Sequence, residues 1–277
     1  MAAASMTSGE LAAASLIISI MSGFVVAYQF EPATPFEATV AIEATLAWGW
    51  FWRGLHFWSS QSFFLLLLWH TFKKSVVLAP APVLRQRFHW SIVTLSVGLG
   101  VFALFSGYVI RYDGTGQAAG TIAEHLMLSV PLVGRALDRL LLGISNDGMN
   151  RLYAVHILMG ALCWGIGTWY HTKRVVMPAS AFLTALALLV TFSLFVHAPL
   201  DVLSPDMHLI KGPWFFLGIQ EMLRGIEPFW AGIVFPAIPI LAVGLLPWIR
   251  HRRLIAALMI VWSACYIAAS ITAVMRS

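Results

Sequence analysis

The sequence predicts an all-α membrane protein of about seven transmembrane helices. Three observations carry this. Hydrophobic residues make up 60% of the 277-residue chain and charged residues only 10%, against roughly 25% charged in ordinary soluble domains. So few charges cannot cover a soluble surface, which excludes a soluble enzyme, a nucleic-acid module and a disordered tail. Seven stretches come close to the roughly 20 apolar residues that a helix needs to cross the hydrocarbon. Two of those stretches also carry paired histidines at nearly equal spacing.

The spans are expected at about 9–29, 48–72, 90–110, 152–172, 180–198, 229–249 and 253–274. The first is rich in Ala, Ser and Ile, with no Lys or Arg before it, so a cleaved signal peptide is not expected. The second is rich in Trp and Phe. Residues 111–151, glycine-rich and then amphipathic through EHLMLSVPLVGRALDRLLLG, read as a surface helix or helix pair at the membrane interface. Residues 199–228 contain GPWFFLGIQEML, too short to span and expected to dip partway in. Cys163 and Cys265 lie in apolar runs with no CxxC or CxxCH pattern, so neither a disulfide framework nor a covalent c-type haem is signalled.

Charge sets the orientation. With the N-terminus on one side, the loops on that side hold Lys73, Lys74, Arg85, Arg87, Lys173, Arg174, Arg250, Arg252 and Arg253. Those are nine of the 17 basic residues, against one acid, Glu10. Such an excess marks the cytoplasmic face, so the N-terminus is expected inside and, with an odd number of spans, the C-terminus outside. The net charge of +5 therefore reports orientation and not a nucleic-acid partner.

Ionisable groups inside spans point to a site. The second span carries His56 and His70, and the fourth carries His156 and His171. Spacings of 14 and 15 residues are about 3.9 and 4.2 helical turns, so each pair lies near one helix face with roughly 21–23 Å between its members. Both helices run from outside to inside. His56 and His156 are therefore expected at one depth and His70 and His171 at another, as two layers that suit two stacked haems with two axial histidines each. A lone span histidine is more often hydrogen-bonded to a neighbour, and a proton relay also uses His. Relays, however, normally include intramembrane carboxylates, and these two spans have none. Arg53 and Arg151 lie beside the outer layer and Lys73 beside the inner one, where they suit haem propionates. Simple snorkelling is the other reading of Arg53. Gly9 and Gly23 repeat the 14-residue spacing and suit close approach of a flat ligand or of another helix.

With these residues in view, the sequence resembles cytochrome b of the bc-type and bf-type quinol-oxidising complexes over nearly its whole length. GWFWRGLHFWSSQSFF with His70 resembles the family's second helix, NRLYAVH with His171 its fourth, and SGYVI at 106–110 the end of its third. GPWFFLGIQEMLR at 212–224 is similar to the stretch that holds the family's Pro-Glu-Trp-Tyr motif. The resemblance implies a diheme four-helix part over 1–177 and a subunit IV-like three-helix part over 178–277. It implies a low-potential outer haem on His56 and His156, and a high-potential inner haem on His70 and His171, with Gly107 among the haem contacts. It also implies an outer quinol pocket near Tyr108, Arg111, Tyr112, Pro213, Trp214 and Phe215, an inner quinone site and a bacterial cytoplasmic membrane. The implied partners are a Rieske iron–sulfur protein or a c-type cytochrome, lipid, and a second copy of the chain.

The departures from the family define the rival readings. The motif positions are Gly212, Pro213, Trp214 and Phe215, so the motif carboxylate and phenol are absent. Glu221, six residues after Phe215, is a candidate proton acceptor, or it faces water or pairs with Arg224. Arg111 and Tyr112 replace the family's usual Pro-Trp, Val93 stands where a haem-contacting glycine is usual, and Thr7 stands where the bf type attaches an extra haem to cysteine. Two alternatives follow: a diheme anchor that trades electrons between quinone and a periplasmic partner without a Rieske protein, and a haem-free transporter or proton channel.

Overall fold

The computed structural model describes residues 6–78, 82–144, 148–172, 178–201 and 210–276. Among these there is no strand. The helices are α1 (Ser8–Gln29), α2 (Pro35–Ala44), α3 (Gly49–Val76), α4 (Leu84–Ile110), α5 (Gly114–Leu128), α6 (Gly134–Leu141), α7 (Met149–Cys163), α8 (Ala179–Phe195), α9 (Leu217–Met222), α10 (Phe235–Leu245) and α11 (Arg252–Met275). Lys173 and Arg174, used in the charge argument, lie outside the described residues, as does the middle of 199–228.

Among the described residues, five helical stretches are long and apolar enough to cross a membrane: Ser8–Gln29, Leu84–Ile110, Met149–Tyr170, Phe229–Trp248 and Arg252–Met275. The expected second and fifth spans fall outside that group for different reasons. α3 has 28 residues but carries Arg53, Gln61, Lys73 and Lys74 among its aromatics. α8 carries no charged residue but has only 17 residues, about 25 Å of helix.

Local chemistry explains the helix starts. Thr7 and Glu10 form a capping box on α1: the Glu10 amide donates to Thr7 Oγ1 at 3.2 Å and the Thr7 amide donates to Glu10 Oε2 at 2.8 Å. Asp113 caps α5 by accepting from the Gly116 amide. Pro35 opens α2, where a missing N–H costs nothing.

α1 lies along α3, α4 along α7, and α8 against both α1 and α3. The close α1 contact depends on small residues: Ala12, Ala14, Ser15, Ser19 and Ser22 are all buried. This is the usual packing device where lipid removes the hydrophobic drive between helices. Ala14 and Ile18 pack with Leu55 of α3 and with Ala185 and Leu189 of α8. Ala12 and Leu16 meet Phe63 and Cys163, while a third core joins α4, α5, α7 and α9 through Val109, Ala123, Leu152 and Ile219. The interface segment 111–151 becomes α5 and α6. The dip at 212–224 becomes the short α9, seated on α11.

Tryptophans tie the spans together. Trp58 Nε1 donates to the Val196 carbonyl, Trp90 Nε1 to Val243 and Trp262 Nε1 to Phe235. The last bond has a specific cause. The residue four after Phe235 is Pro239, which has no N–H, so the Phe235 carbonyl lacks its normal helical donor. Trp262→Phe should therefore lower the unfolding free energy in detergent by about 1–3 kcal/mol. Adding Pro239→Ala should recover much of that loss. A Trp262→Phe protein as stable as the parent, or no recovery in the double variant, would disprove this account.

Candidate functional site

α3 and α7 bring the four histidines together as two pairs. The His56 and His156 ring centroids are 6.1 Å apart at 81°, and those of His70 and His171 are 6.3 Å apart at 74°. The unequal sequence spacing is absorbed by a π-helical turn, Trp164–Tyr170, that continues α7. There the His171 amide bonds the Ile166 carbonyl, five residues back. A π-helical turn holds more residues than an α-turn, so 15 residues on α7 match 14 on α3 and both pairs come level.

The ring nitrogens are sorted by their partners. His56 Nδ1 donates to the Ser19 carbonyl at 2.8 Å, and His156 Nδ1 pairs with the Ser106 hydroxyl at 3.0 Å. Nε2 is thereby directed away from these bonds, as in metal-ligating histidines whose other nitrogen is held by a second partner. At the inner pair, His171 Nδ1 is 3.2 Å from Nε2 of His89 of α4, which stacks on Tyr170. His89 was not singled out in the sequence. It lies four residues before Val93, a spacing that could have marked it.

Glycine is required beside three of the rings. A Cβ at Gly9 would stand 2.7 Å from His70 Cε1, one at Gly23 2.9 Å from His56 Cε1, and one at Gly107 2.8 Å from His156 Cε1. The imidazoles thus press directly on α1 and α4 backbone, which sets the helix spacing.

These observations fit haem. The facing imidazole couples, with ring centroids 6.1 and 6.3 Å apart, are the residues that would hold haem iron, which would supply one-electron chemistry between them. Among the described residues there is no cluster of three or more His, Cys, Asp or Glu able to hold a bare metal ion. A porphyrin iron needs only two protein ligands, so the paired histidines suit a macrocycle rather than a naked cation.

The His56–His156 pair opens into a cavity of about 490 Å³, lined by His56, His156, Gly23, Gly107 and Arg53 and continuing past Tyr108, Arg111, Pro213, Trp214 and Phe215. Its size lies in the roughly 300–1,000 Å³ range of small-molecule and cofactor sites. Tyr112 is not among the lining residues. It occupies the turn after α4 with φ of +52°, a left-handed backbone unusual outside glycine.

The remaining candidates are distributed as follows. Arg53 is buried and lines the cavity, with Glu43 at 2.5 Å and the Ala198 and Pro199 carbonyls using three of its N–H groups. Arg151 is exposed and donates to the Arg139 carbonyl in the last turn of α6, away from the cavity lining. Lys73 is exposed in the last turn of α3. Glu221 does not line the cavity; it pairs with Arg224 at 3.2 Å and Arg276 at 2.6 Å. Arg111 is buried under an ion pair with the fully buried Asp113 at 2.8 Å and lies over the Tyr108 ring at 4.5 Å.

The family model described as Cytochrome b/b6/petB matches residues 3–171. The chain is 23% identical to cytochrome b of Allochromatium vinosum, over 87% of this chain and 72% of that one. It is 27% identical to cytochrome b6 of a Synechococcus species, over 53% and 70%. Among solved structures, a chain of a hyperthermophilic respiratory Complex III matches 95% of this chain and 83% of its own length, with a TM-score of 0.68 at 19% identity. That likeness bears on the fold. The all-helical architecture, the apolar spans and the match over both histidine-bearing helices lead to one conclusion: the chain is a multi-pass membrane protein of the cytochrome b/b6 family.

Proposed function

We propose that the chain is the diheme electron-transfer subunit of a membrane quinol:acceptor oxidoreductase. The observation that carries this is the pair of facing imidazole couples, 6.1 and 6.3 Å between centroids, on two helices whose register a π-helical turn brings level. The bound b haems would supply reversible one-electron chemistry at two depths. The protein's part is ligation, burial and access. His56 and His156 would hold the outer haem, and His70 and His171 the inner one. Arg53 retains N–H groups for a propionate, since a guanidinium has five donors and Glu43, Ala198 and Pro199 use three. Lys73 is placed to serve the inner layer, whereas Arg151 is committed to the end of α6.

In this reading the pocket past Tyr108, Pro213, Trp214 and Phe215 receives quinol, and the inner histidine pair lies toward a quinone site. α3 and α8 cross the membrane with the five apolar spans, giving seven. Residues 1–177 form the diheme part and 178–277 the subunit IV-like part. The N-terminus faces the cytoplasm of a bacterium. A Rieske protein or c-type cytochrome accepts electrons at the outer face, within a complex that contains two copies of the chain. Charge crossing between the layers works against the membrane potential at about 2.3 kcal/mol per 100 mV, which is how such a path conserves energy.

A second reading has a specific observation behind it. Glu221 is held by Arg224 and Arg276 and does not line the cavity. This favours a diheme anchor that exchanges electrons with quinone and a periplasmic partner without bifurcation. The subunit composition of the purified complex separates the two: a Rieske protein supports the first, and a multihaem cytochrome without one supports the second.

Substitution tests the layers. His56→Ala or His156→Ala should remove one b haem per chain and leave the other with its spectrum. Gly23→Val should have the same result, because a branched side chain drives into His56. Loss of both haems, or of neither, would contradict the layer assignment.

A further inference from the structure

The missing motif carboxylate leaves the outer cavity in need of a group to take the quinol proton, and the cavity lining contains a carboxylate that the sequence did not single out. Among the described residues that line it, the cations are Arg53 and Arg111 and the sole acid is Asp201, from the segment after α8. We infer that Asp201 is the proton-accepting catalytic residue of the outer quinol site. This rests on the quinol-oxidising reading above.

Three features support the assignment. Asp201 reaches both sides of the barrier: it lines the cavity, yet 49% of its side chain is exposed. A proton taken at the cavity wall can therefore leave to outside water. It is also held in place. The Thr115 hydroxyl donates to its Oδ2 at 2.6 Å, Arg111 Nη2 lies 3.7 Å from the same oxygen, and its amide donates to Asp113 Oδ2 at 2.8 Å. Asp113, by contrast, is fully buried, neutralises Arg111 and does not line the cavity. Finally, the charge balance suits a base that cycles. Arg111, Asp113 and Tyr108 face Asp201 from α4 and the α4–α5 corner, and Arg53 joins from α3 through the Pro199 carbonyl that it shares with Arg111. The buried Arg111 Nε has no hydrogen-bond partner among the described residues.

The step is a proton transfer. Oxidation of a quinol to a quinone releases two protons with its two electrons: as each O–H bond breaks in turn, its proton moves to an Asp201 carboxylate oxygen and then to outer water, which frees Asp201 to take the second. The two electrons leave separately, one to the external high-potential acceptor and one to the b-haem path. A positioned base contributes about a hundredfold or more.

The test uses the purified complex in three forms: parent, Asp201→Asn and Asp201→Glu. Asp201→Asn should slow b-haem reduction by a short-chain quinol by about a hundredfold, with unchanged haem content and potentials. It should also abolish a carboxylic C=O band in the reduced-minus-oxidised infrared difference spectrum. Asp201→Glu should recover a substantial part of the rate and a shifted band, which separates a lost base from a damaged fold. Parent-like rate and spectrum in Asp201→Asn overturn the inference and leave the quinol reading standing. A parent complex whose haems quinol does not reduce overturns both.

Discussion

The structure depends on one constraint: two helices running in the same direction must present imidazoles to each other at two depths. Everything nearest the pairs serves that requirement. α1 and α4 approach so closely that Gly9, Gly23 and Gly107 can carry no side chain without striking a ring. Ser19 and Ser106 fix the Nδ1 atoms of the outer pair. Small residues along α1 let it lie close to α3, where Leu55 packs with Ala14 and Ile18 and Phe63 with Ala12 and Leu16. The π-helical turn before His171 is a local departure from regular geometry whose effect is to keep the two layers parallel.

The outer corner is an electrostatic structure in its own right. Arg53 of α3 and Arg111 at the end of α4 both donate to the Pro199 carbonyl, so two permanent cations fix the chain where it leaves α8. Each is balanced by an acid, Glu43 for Arg53 and Asp113 for Arg111. Removing one member of such a buried pair typically costs about 3–5 kcal/mol because the other charge is left uncompensated. Asp201, beside this corner, lines the same cavity as Trp214 and Phe215.

Five of the seven expected spans and the facing of the histidines were legible in the sequence, because hydropathy and residue spacing are both local signals. Ligand-type residues 14 apart on one helix and 15 apart on another project directly into space. What could not be read depends on contacts between distant positions. Glu221 was weighed against Arg224 nearby, but its closer partner is Arg276, 55 residues on. Arg151 looked equivalent to Arg53, yet the end of α6 captures it. Asp201 lies 90 positions from Arg111, so nothing local linked it to the pocket. α2 was missed in a connection of mixed composition, although Pro35 at its first position was the signal available. The one-residue difference between the two histidine spacings was visible, but only the backbone shows that a π-helical turn absorbs it.

The account stands most directly on a potentiometric titration of the visible spectrum of the purified complex. Two b-type components, each titrating with one electron at well-separated potentials, are the expected result and would place two haems between the paired histidines. A complex with no b-type absorption, or with a single component at full haem loading, would contradict the two-layer account at its base.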